Sequence, residues 1–144
     1  MTNTVDDAIA RLQALALQCT SVIIKAAPSY PVEDTSVLPL SIAHLSNGEI
    51  TVGEASTIGF IPTVVMVDFH FSRTSIKQAY QQCNLIFYEY SKRLAGDPTL
   101  NGKVDTIIFP VSWRVQPSQW DKVTTQLLRF SIPVKILDIP QAST

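Results

Sequence analysis

The sequence predicts one α+β domain: a mixed, mostly antiparallel sheet with a long amphipathic helix packed across one face and a second helix at the N-terminus. Three observations predict this fold. Apolar residues recur at helical spacing in two segments, β-branched and aromatic residues form several strand-like runs, and Gly, Pro and Asn separate the runs. The order of these segments, with several strands on either side of one helix, favours antiparallel pairing.

Length, composition and charge set the bounds on this fold. The chain has 144 residues, 46% hydrophobic and 16% charged, which suits a single domain over residues 1–144, with residues 1–3 and 139–144 expected to be flexible. The formal net charge of −1 comes from 11 basic and 12 acidic residues. Such a chain offers no basic surface for phosphates, so nucleic acid is a poor candidate for its principal ligand.

The cysteines and the N-terminal residues indicate in which cellular compartment the protein is expected. Cys19 and Cys83 are too few and too isolated for a disulfide scaffold or a zinc knuckle, which favours a reducing cytosol. The first residues are acidic, and no apolar run approaches membrane-spanning length. We therefore expect a soluble protein that is not exported and has no membrane partner.

The first helix is predicted to start after Thr4 and to end near Leu17. Thr4 can cap it, and Asp6 and Asp7 favour the positive end of the helix dipole. Its buried face is predicted from the helical spacing of four apolar residues: Val5, Ile9, Leu12 and Ala16.

Strand signals dominate the next segment. A β-branched run over residues 21–27 and an apolar run over 38–45 enclose an ordered loop at 28–35. Asn47-Gly48 is the strongest hairpin signal, because a two-residue primed turn needs positive φ at both positions. It predicts antiparallel pairing of the strand at 38–45 with residues 49–54.

The longest strand is predicted over residues 60–71, after a flexible loop at 53–59. Its second face carries Asp68 and His70, which strand geometry places about 7 Å apart, close enough to share a network. Its first face is apolar, with Val65, Val67, Phe69 and Phe71.

The second helix is the clearest element. It begins after the possible caps Ser72 and Thr74, and Gly96 in a left-handed conformation is predicted to close it before Asp97-Pro98, which cannot continue a helix. Leu85, Ile86 and Tyr88 widen its apolar surface, and some of this excess is expected to contact another subunit. The main apolar stripe has spacings of three and four: Ile76, Tyr80, Cys83, Phe87, Tyr90 and Leu94.

Two strands complete the predicted sheet, after Asn101-Gly102 turns the chain. Residues 104–115 alternate with Ile107, Phe109, Val111 and Trp113 pointing inward, and residues 128–136 repeat the pattern. Pro133 cannot donate a hydrogen bond to a neighbouring strand, so the last strand is expected at a sheet edge, at least around this residue.

Catalytic and metal-binding patterns are weak in this sequence. His44 and His70 lie far apart with no carboxylate at metal-pair spacing, so structural or surface histidines are the better interpretation. No nucleophile with a base and an orienting group is recognisable, and no Gly-rich loop lies between a strand and a helix. We therefore predict neither catalysis nor a cofactor.

Two tryptophans suggest a role in binding another protein. Trp113 stands beside Arg114 near a strand end, and Trp120 lies in a polar stretch. Aromatic and arginine residues at such positions commonly anchor protein interfaces. The alternative is that Trp113 belongs to the core and Trp120 folds back over it.

Several segments, taken together, resemble the tail terminator (tail completion) family of long-tailed bacteriophages. After the N-terminal helix, the resemblance is carried by Val22-Ile23-Ile24-Lys25-Ala26-Ala27, the Tyr30-Pro31 loop, Leu38-Pro39-Leu40-Ser41-Ile42, and Val67-Asp68-Phe69-His70-Phe71. It continues through the long helix, the turn from Gly96 to Asp105, and the final strand at 130–136. Asn101 stands where a glycine is more usual, and residues 118–125 have no counterpart.

The resemblance implies an assembly role with no reaction. Such proteins form a ring, typically of six subunits, on the head-proximal end of the tail tube, stop its polymerisation and present the surface that joins the capsid connector. The implied partners are copies of the chain, the tail tube protein and a head-completion or connector protein, and genomic DNA can pass through the ring without sequence-specific binding. The implied location is the virion, at the head-proximal end of the tail or the neck, and the host cytoplasm during assembly.

The predicted interface residues fall in two groups. Contacts with the tube or connector are expected in residues 48–60 and 114–122, and contacts between subunits along the last strand and the second helix. The candidates are Glu54, Ile58, Phe60, Trp113, Arg114, Trp120, Arg129 and Pro133.

Two other function classes stay open. The chain could be a different neck component, such as a head-completion or connector-adaptor protein, which shares a small α+β design and ring assembly. It could also be a small enzyme or ligand-binding domain that uses the face with Asp68 and His70, which would require a pocket there.

Overall fold

The structure, a computed structural model, describes residues 5–28, 37–54, 57–120 and 123–138. These residues form one α+β domain of two helices and a five-stranded antiparallel sheet, which confirms the predicted fold class. The termini predicted to be flexible, the cap at Thr4 and the Tyr30-Pro31 loop lie outside the described residues.

The two helices occur where the apolar periodicity places them. Helix α1 runs Val5–Leu17 and helix α2 runs Ile76–Ala95. The Ser75 hydroxyl caps α2 by accepting the backbone N–H of Gln78. The predicted left-handed Gly96 is wrong, since its φ is −84°, and the left-handed residues lie further on, at Leu100, Asn101 and Gly102.

Five strands form the sheet, and every pairing between them is antiparallel. Their order is β1-β2-β5, and β3 and β4 both pair with the far side of β5. The strands are β1 Leu40–Val52, β2 Ile58–Ser72, β3 Thr106–Ile107, β4 Ser112–Trp120 and β5 Val123–Asp138.

Both helices cover the same face of the sheet and form the core with it. Val65, Val67, Phe69 and Phe71 of β2 are fully buried there, as predicted. In the middle of this core the Tyr90 ring meets Phe69 at 4.9 Å and Phe130 at 5.1 Å, and its hydroxyl donates to the Leu12 carbonyl of α1 at 3.1 Å. Tyr90 thus joins the two helices and the sheet in one packed unit.

The buried face of α2 differs from the predicted stripe at its first turns. Ile76 and Tyr80 are exposed, and so are Leu85 and Tyr88. The residues of α2 that reach the core are Ala79, Cys83, Ile86, Tyr90 and Leu94.

The predicted hairpin at Asn47-Gly48 is wrong. Strand β1 passes through this pair with two register shifts, and the chain reverses between Gly53 and Thr57, where the Gly53 N–H donates to the Thr57 carbonyl at 2.8 Å. Gly48 is needed for another reason: a Cβ atom there would overlap the carbonyl oxygen of Pro62. A close backbone approach and a primed turn both call for glycine, and the sequence does not separate them.

The predicted edge position of the last strand is also wrong. Strand β5 lies inside the sheet, with β2 on one side and β4 and β3 on the other. Pro133 lies opposite Val64, and its carbonyl accepts the Ile108 N–H at 2.7 Å. Between β3 and β4 the pairing with β5 shifts register, and Pro133 faces this interruption, where its missing N–H is tolerated.

Two other strand predictions need correction. Residues 21–27 contribute a single bridge, Ala26 to Leu40, in place of a strand. Residues 104–115 are divided into β3 and the start of β4, because residues 108–111 leave the ladder. Phe109, predicted to point inward, is about half exposed at this interruption. Trp113 lies on the helix side as predicted, opposite the buried Phe130 and against Phe87, but it too is about half exposed.

Candidate functional site

The face of the sheet opposite the helices holds an ion pair between a buried carboxylate and a partly exposed guanidinium. Asp68 of β2 accepts two hydrogen bonds from the Arg129 guanidinium of β5, at 2.8 and 2.9 Å. These bonds raise the pKa of Arg129 although partial burial opposes the shift. The Nε2 atom of His44 lies 3.6 Å from the same carboxylate. Asp68 and Arg129 lie directly opposite each other in the ladder, so their ion pair fixes the register of β2 against β5.

His70 lies further along this face, in a different contact. Its Nδ1 atom is 2.7 Å from the Thr125 hydroxyl, and burial lowers its pKa. A hydroxyl beside an imidazole is the start of a nucleophile and base arrangement. Thr125 is completely buried, however, so a substrate atom cannot reach its hydroxyl without a rearrangement of the strands. The contact is suited to joining β2 and β5.

Metal-binding and thiol chemistry find little support in the described residues. Residues 5–28, 37–54, 57–120 and 123–138 contain no group of three His, Cys, Asp or Glu side chains close enough to hold a metal ion. Burial raises the pKa of both Cys19 and Cys83 to about 11, which keeps the thiols protonated and unreactive at neutral pH. Within the same residues, neither helix has the length and hydrophobicity needed to cross a membrane.

The most unusual surface lies where the sheet extends beyond its helices. We call residues 45–52 of β1 and 58–65 of β2 the distal hairpin. Its β1 half is exposed throughout, although Leu45, Ile50 and Val52 are apolar, with exposed fractions of 54%, 71% and 70%. Their ladder partners are Val65, Phe60 and Ile58, and directly opposed residues share a face.

These exposed side chains lie on the helix side of the sheet. Phe60 packs against the core, and its ladder partners Ile50 and Ile136 therefore lie on the same face. The N-terminal residue of α1, Val5, lines the same depression as Leu45 and Ile50. We call this surface the apolar stripe: Leu45, Ile50, Val52, Ile58 and Phe60.

A second apolar surface lies near the opposite edge of the sheet. Exposed aromatic rings flank a groove between α2 and the segment that leads into β4, and Trp113 meets Phe87 with ring centroids 4.7 Å apart. Phe109 and Trp113 are about half exposed, at 51% and 55%. We call this surface the aromatic groove, and its principal lining residues are Phe87, Ser91, Phe109, Val111, Trp113 and Phe130.

The predicted interface residues fall into three places. Glu54, Ile58 and Phe60 come together in and beside the distal hairpin. Trp113, Arg114 and Trp120 lie along β4, where Trp113 lines the aromatic groove and Trp120 is the ladder partner of Val123. Arg129 and Pro133 lie in β5, and Arg114 and Arg129 are ladder partners.

Sequence reasoning did not name four residues that shape these surfaces, Leu45, Ile50, Val52 and Phe109, although Ile50 and Val52 lie within the predicted contact range 48–60. Each belongs to an apolar pattern that normally indicates burial. The signal that could have identified Phe109 is Pro110, which interrupts the strand pattern after it. No local signal distinguishes Ile50 from a core residue, because its exposure depends on where the helices stop.

Neither the scan against protein-family models nor the search of curated proteins finds a match to this chain. The resemblance to tail terminators stays a prediction from the sequence.

Proposed function

We propose that this chain is a phage tail terminator, a structural protein whose ring, of six subunits as the resemblance implies, caps the head-proximal end of the tail tube. The ring stops tube polymerisation and presents the surface for joining the head. Its partners are further copies of the chain, the tail tube protein and a head-completion or connector protein, and DNA passes through the ring lumen. It acts in the host cytoplasm during assembly and stays in the virion, at the head-proximal end of the tail.

The apolar stripe is the observation that carries the assembly role. Ile50 and Val52 are each about 70% exposed, and they lie on the face of the sheet that is buried elsewhere. Exposed apolar side chains that extend a core face mark a surface for another protein. The tail terminator identity rests on the sequence resemblance, above all on the turn from Gly96 to Asp105.

The arrangement of Asp68, Arg129 and His70 supports an assembly protein over an enzyme. Arg129 engages the carboxylate of Asp68, and the hydroxyl beside His70 is inaccessible. Both contacts cross between β2 and β5, so they stabilise the sheet that holds the distal hairpin. We propose no catalytic reaction and no cofactor.

The test is tube growth in the presence of the purified protein. Negative-stain microscopy of tubes of the cognate tail protein should show density on one end, and tubes should stop lengthening. Ile58→Asp should weaken capping, because a charge replaces an apolar side chain of the stripe, whereas Ile23→Asp alters an exposed isoleucine elsewhere and should cap normally. Tubes that grow unhindered beside the wild-type protein would overturn the proposal, and binding to the connector alone would identify a neck adaptor.

A further inference from the structure

We propose that the ring closes by insertion of the apolar stripe of one copy into the aromatic groove of the next. The inference rests on the proposed function, since it names the contact between neighbouring subunits. It assigns the distal hairpin to a second copy of this chain, whereas the sequence assigned residues 48–60 to the tube or the connector.

The positions of the two surfaces require two copies. The apolar stripe lies along β1 at one edge of the sheet, and the aromatic groove lies beside β3 and β4 at the other edge. Strands β2 and β5 separate them, so a chain cannot fold its own stripe into its own groove. A contact between different surfaces of identical chains is head-to-tail, and it forms a ring when the rotation closes.

The chemistry of the two surfaces favours the aromatic groove as the site that receives the stripe of the neighbouring copy. The exposed side chains of the stripe, Leu45, Ile50 and Val52, are aliphatic, and the groove offers the half-exposed rings of Phe109 and Trp113. Aliphatic groups packed on aromatic rings bury a large apolar area. Both surfaces would lose their solvent-exposed apolar area in one contact.

Charge favours stripe-to-groove docking over stripe-to-stripe docking. Residues 45–65 contain two acidic residues, Glu49 and Glu54, and no basic one. On α2 the exposed Lys92 follows Ser91 of the groove, and its ammonium lies 4.3 Å from the Tyr88 ring centroid. Arg93 is directed elsewhere, since it pairs with Glu89 and donates to the Gln18 carbonyl. Within the described part of the chain, neither glutamate nor Lys92 forms an ion pair. Two stripes brought together would oppose four carboxylates, whereas a stripe in the groove brings acid to base.

The experiment uses two variants that each destroy one surface. Ile50→Asp places a charge in the stripe and leaves the groove intact, and Phe109→Asp does the reverse. Light scattering should show an assembled wild-type protein and two monomeric variants of 15.9 kDa, with self-association weakened at least about tenfold. A one-to-one mixture of the variants retains one intact stripe and one intact groove, so it should form dimers and nothing larger.

Controls separate lost contact from lost folding. Each variant should retain the circular dichroism spectrum and cooperative thermal transition of the wild type, and Ile23→Asp should assemble normally. Trp113→Glu is a second groove variant, and it should also form dimers when mixed with Ile50→Asp.

Three results would overturn the inference: a wild-type protein that stays monomeric, variants that still assemble, or a mixture that contains only monomers. Dimers formed by Phe109→Asp alone would indicate stripe-to-stripe pairing and would overturn it as well. Rings that form through this contact but leave tube growth unchanged would support the inference and overturn the proposed function.

Discussion

The two halves of strand β1 differ in a way that its own residues do not explain. Ala43 and Ile50 both lie on the helix side of the sheet, and both are paired with β2. Ala43 is fully buried, whereas Ile50 is 71% exposed. The difference lies in what packs on each half: Ala43 belongs to the core cluster together with the buried residues of α1, whereas the depression beside Ile50 meets α1 at Val5. Burial in this protein is therefore decided by the length of the helix layer, and the distal hairpin is available to a partner.

The sharpest test of this comparison is a pair of side-chain truncations to alanine, one in the core and one in the distal hairpin. Phe130→Ala should lower the free energy of unfolding by about 3–5 kcal/mol, because Phe130 is buried against Phe69, Phe87 and Tyr90. Ile50→Ala should change it by less than about 0.5 kcal/mol, as for a surface substitution. Urea denaturation at a concentration where the protein is monomeric measures both.

A large loss of stability in monomeric Ile50→Ala would contradict the comparison. It would mean that the distal hairpin contributes to the core of its own chain. If the effect on stability is small, the slope of the free energy of unfolding against urea concentration should also be unchanged, because the surface exposed on unfolding stays the same.

A second prediction concerns how rigid the distal hairpin is. Gly48→Ala should destabilise the protein by about 1–3 kcal/mol, because the added Cβ would overlap the Pro62 carbonyl oxygen and the backbones must separate. Gly53→Ala is the matched control in the same hairpin, since its Cβ would meet nothing closer than the Thr57 carbonyl at 3.9 Å. Equal stability of both variants in urea would indicate that the hairpin is loose.

A buried glutamine on the helix side of the sheet gives a smaller, opposite effect when it is replaced. Gln126 is fully buried on β5, and neither amide atom has a hydrogen-bond partner among the residues that the structure describes. Gln126→Met should stabilise the protein by about 1–2 kcal/mol, because a similar volume is kept and the unpaired amide is removed. Thermal and urea unfolding measure the change.

Gln13 provides the control for this substitution. It is equally inaccessible at 3% exposure, but its amide donates to the Ser41 carbonyl at 2.9 Å and accepts the Ser41 hydroxyl at 2.8 Å. Gln13→Met should therefore destabilise the protein by about 1–3 kcal/mol. If both substitutions shifted stability in the same direction, hydrogen-bond satisfaction would not explain the effect.

The sequence predicts most elements of this fold but not the limits of its layers. Both helices and the buried face of β2 follow from periodicity, which reports which side of an element faces the core. Whether a partner element extends far enough to cover that side depends on tertiary structure. Ile50 and Val52 have the residue types of a core strand, so only the tertiary structure reveals their exposure.

Glycine and proline produced the topological errors for a related reason. Gly48 is required by the approach of Pro62, fourteen residues away along the chain, and Pro133 is tolerated by an interruption between β3 and β4. Both residues satisfy constraints set by a different strand. For the candidate site, the sequence identified Ile58, Phe60 and Trp113 as interface residues and residues 48–60 as a contact range, which remains a prediction, but it did not predict which neighbouring side chains are exposed.

The smallest predicted effect concerns the segment that follows α1, which a side chain of α2 holds in place. The Glu89 carboxylate accepts the backbone N–H groups of Thr20 and Ser21 and the Ser21 hydroxyl, and pairs with Arg93 at 3.1 Å. Partial desolvation opposes the shift, but these hydrogen bonds prevail and lower the pKa of Glu89 from 4.5 to about 2.

The lowered pKa makes stability depend on pH. A carboxyl whose pKa is lower in the folded state stabilises the fold at pH values above its unfolded-state pKa, and it loses that effect as pH falls through its folded-state pKa. Wild type should thus exceed Glu89→Gln in stability above pH 4.5, and the difference should vanish near pH 2. Urea titrations at several pH values measure this difference, and Glu54→Gln removes a charge from the distal hairpin without removing these bonds. A wild-type advantage over Glu89→Gln that stays constant from pH 5 to pH 2 would show that the carboxylate is not the anchor of this segment.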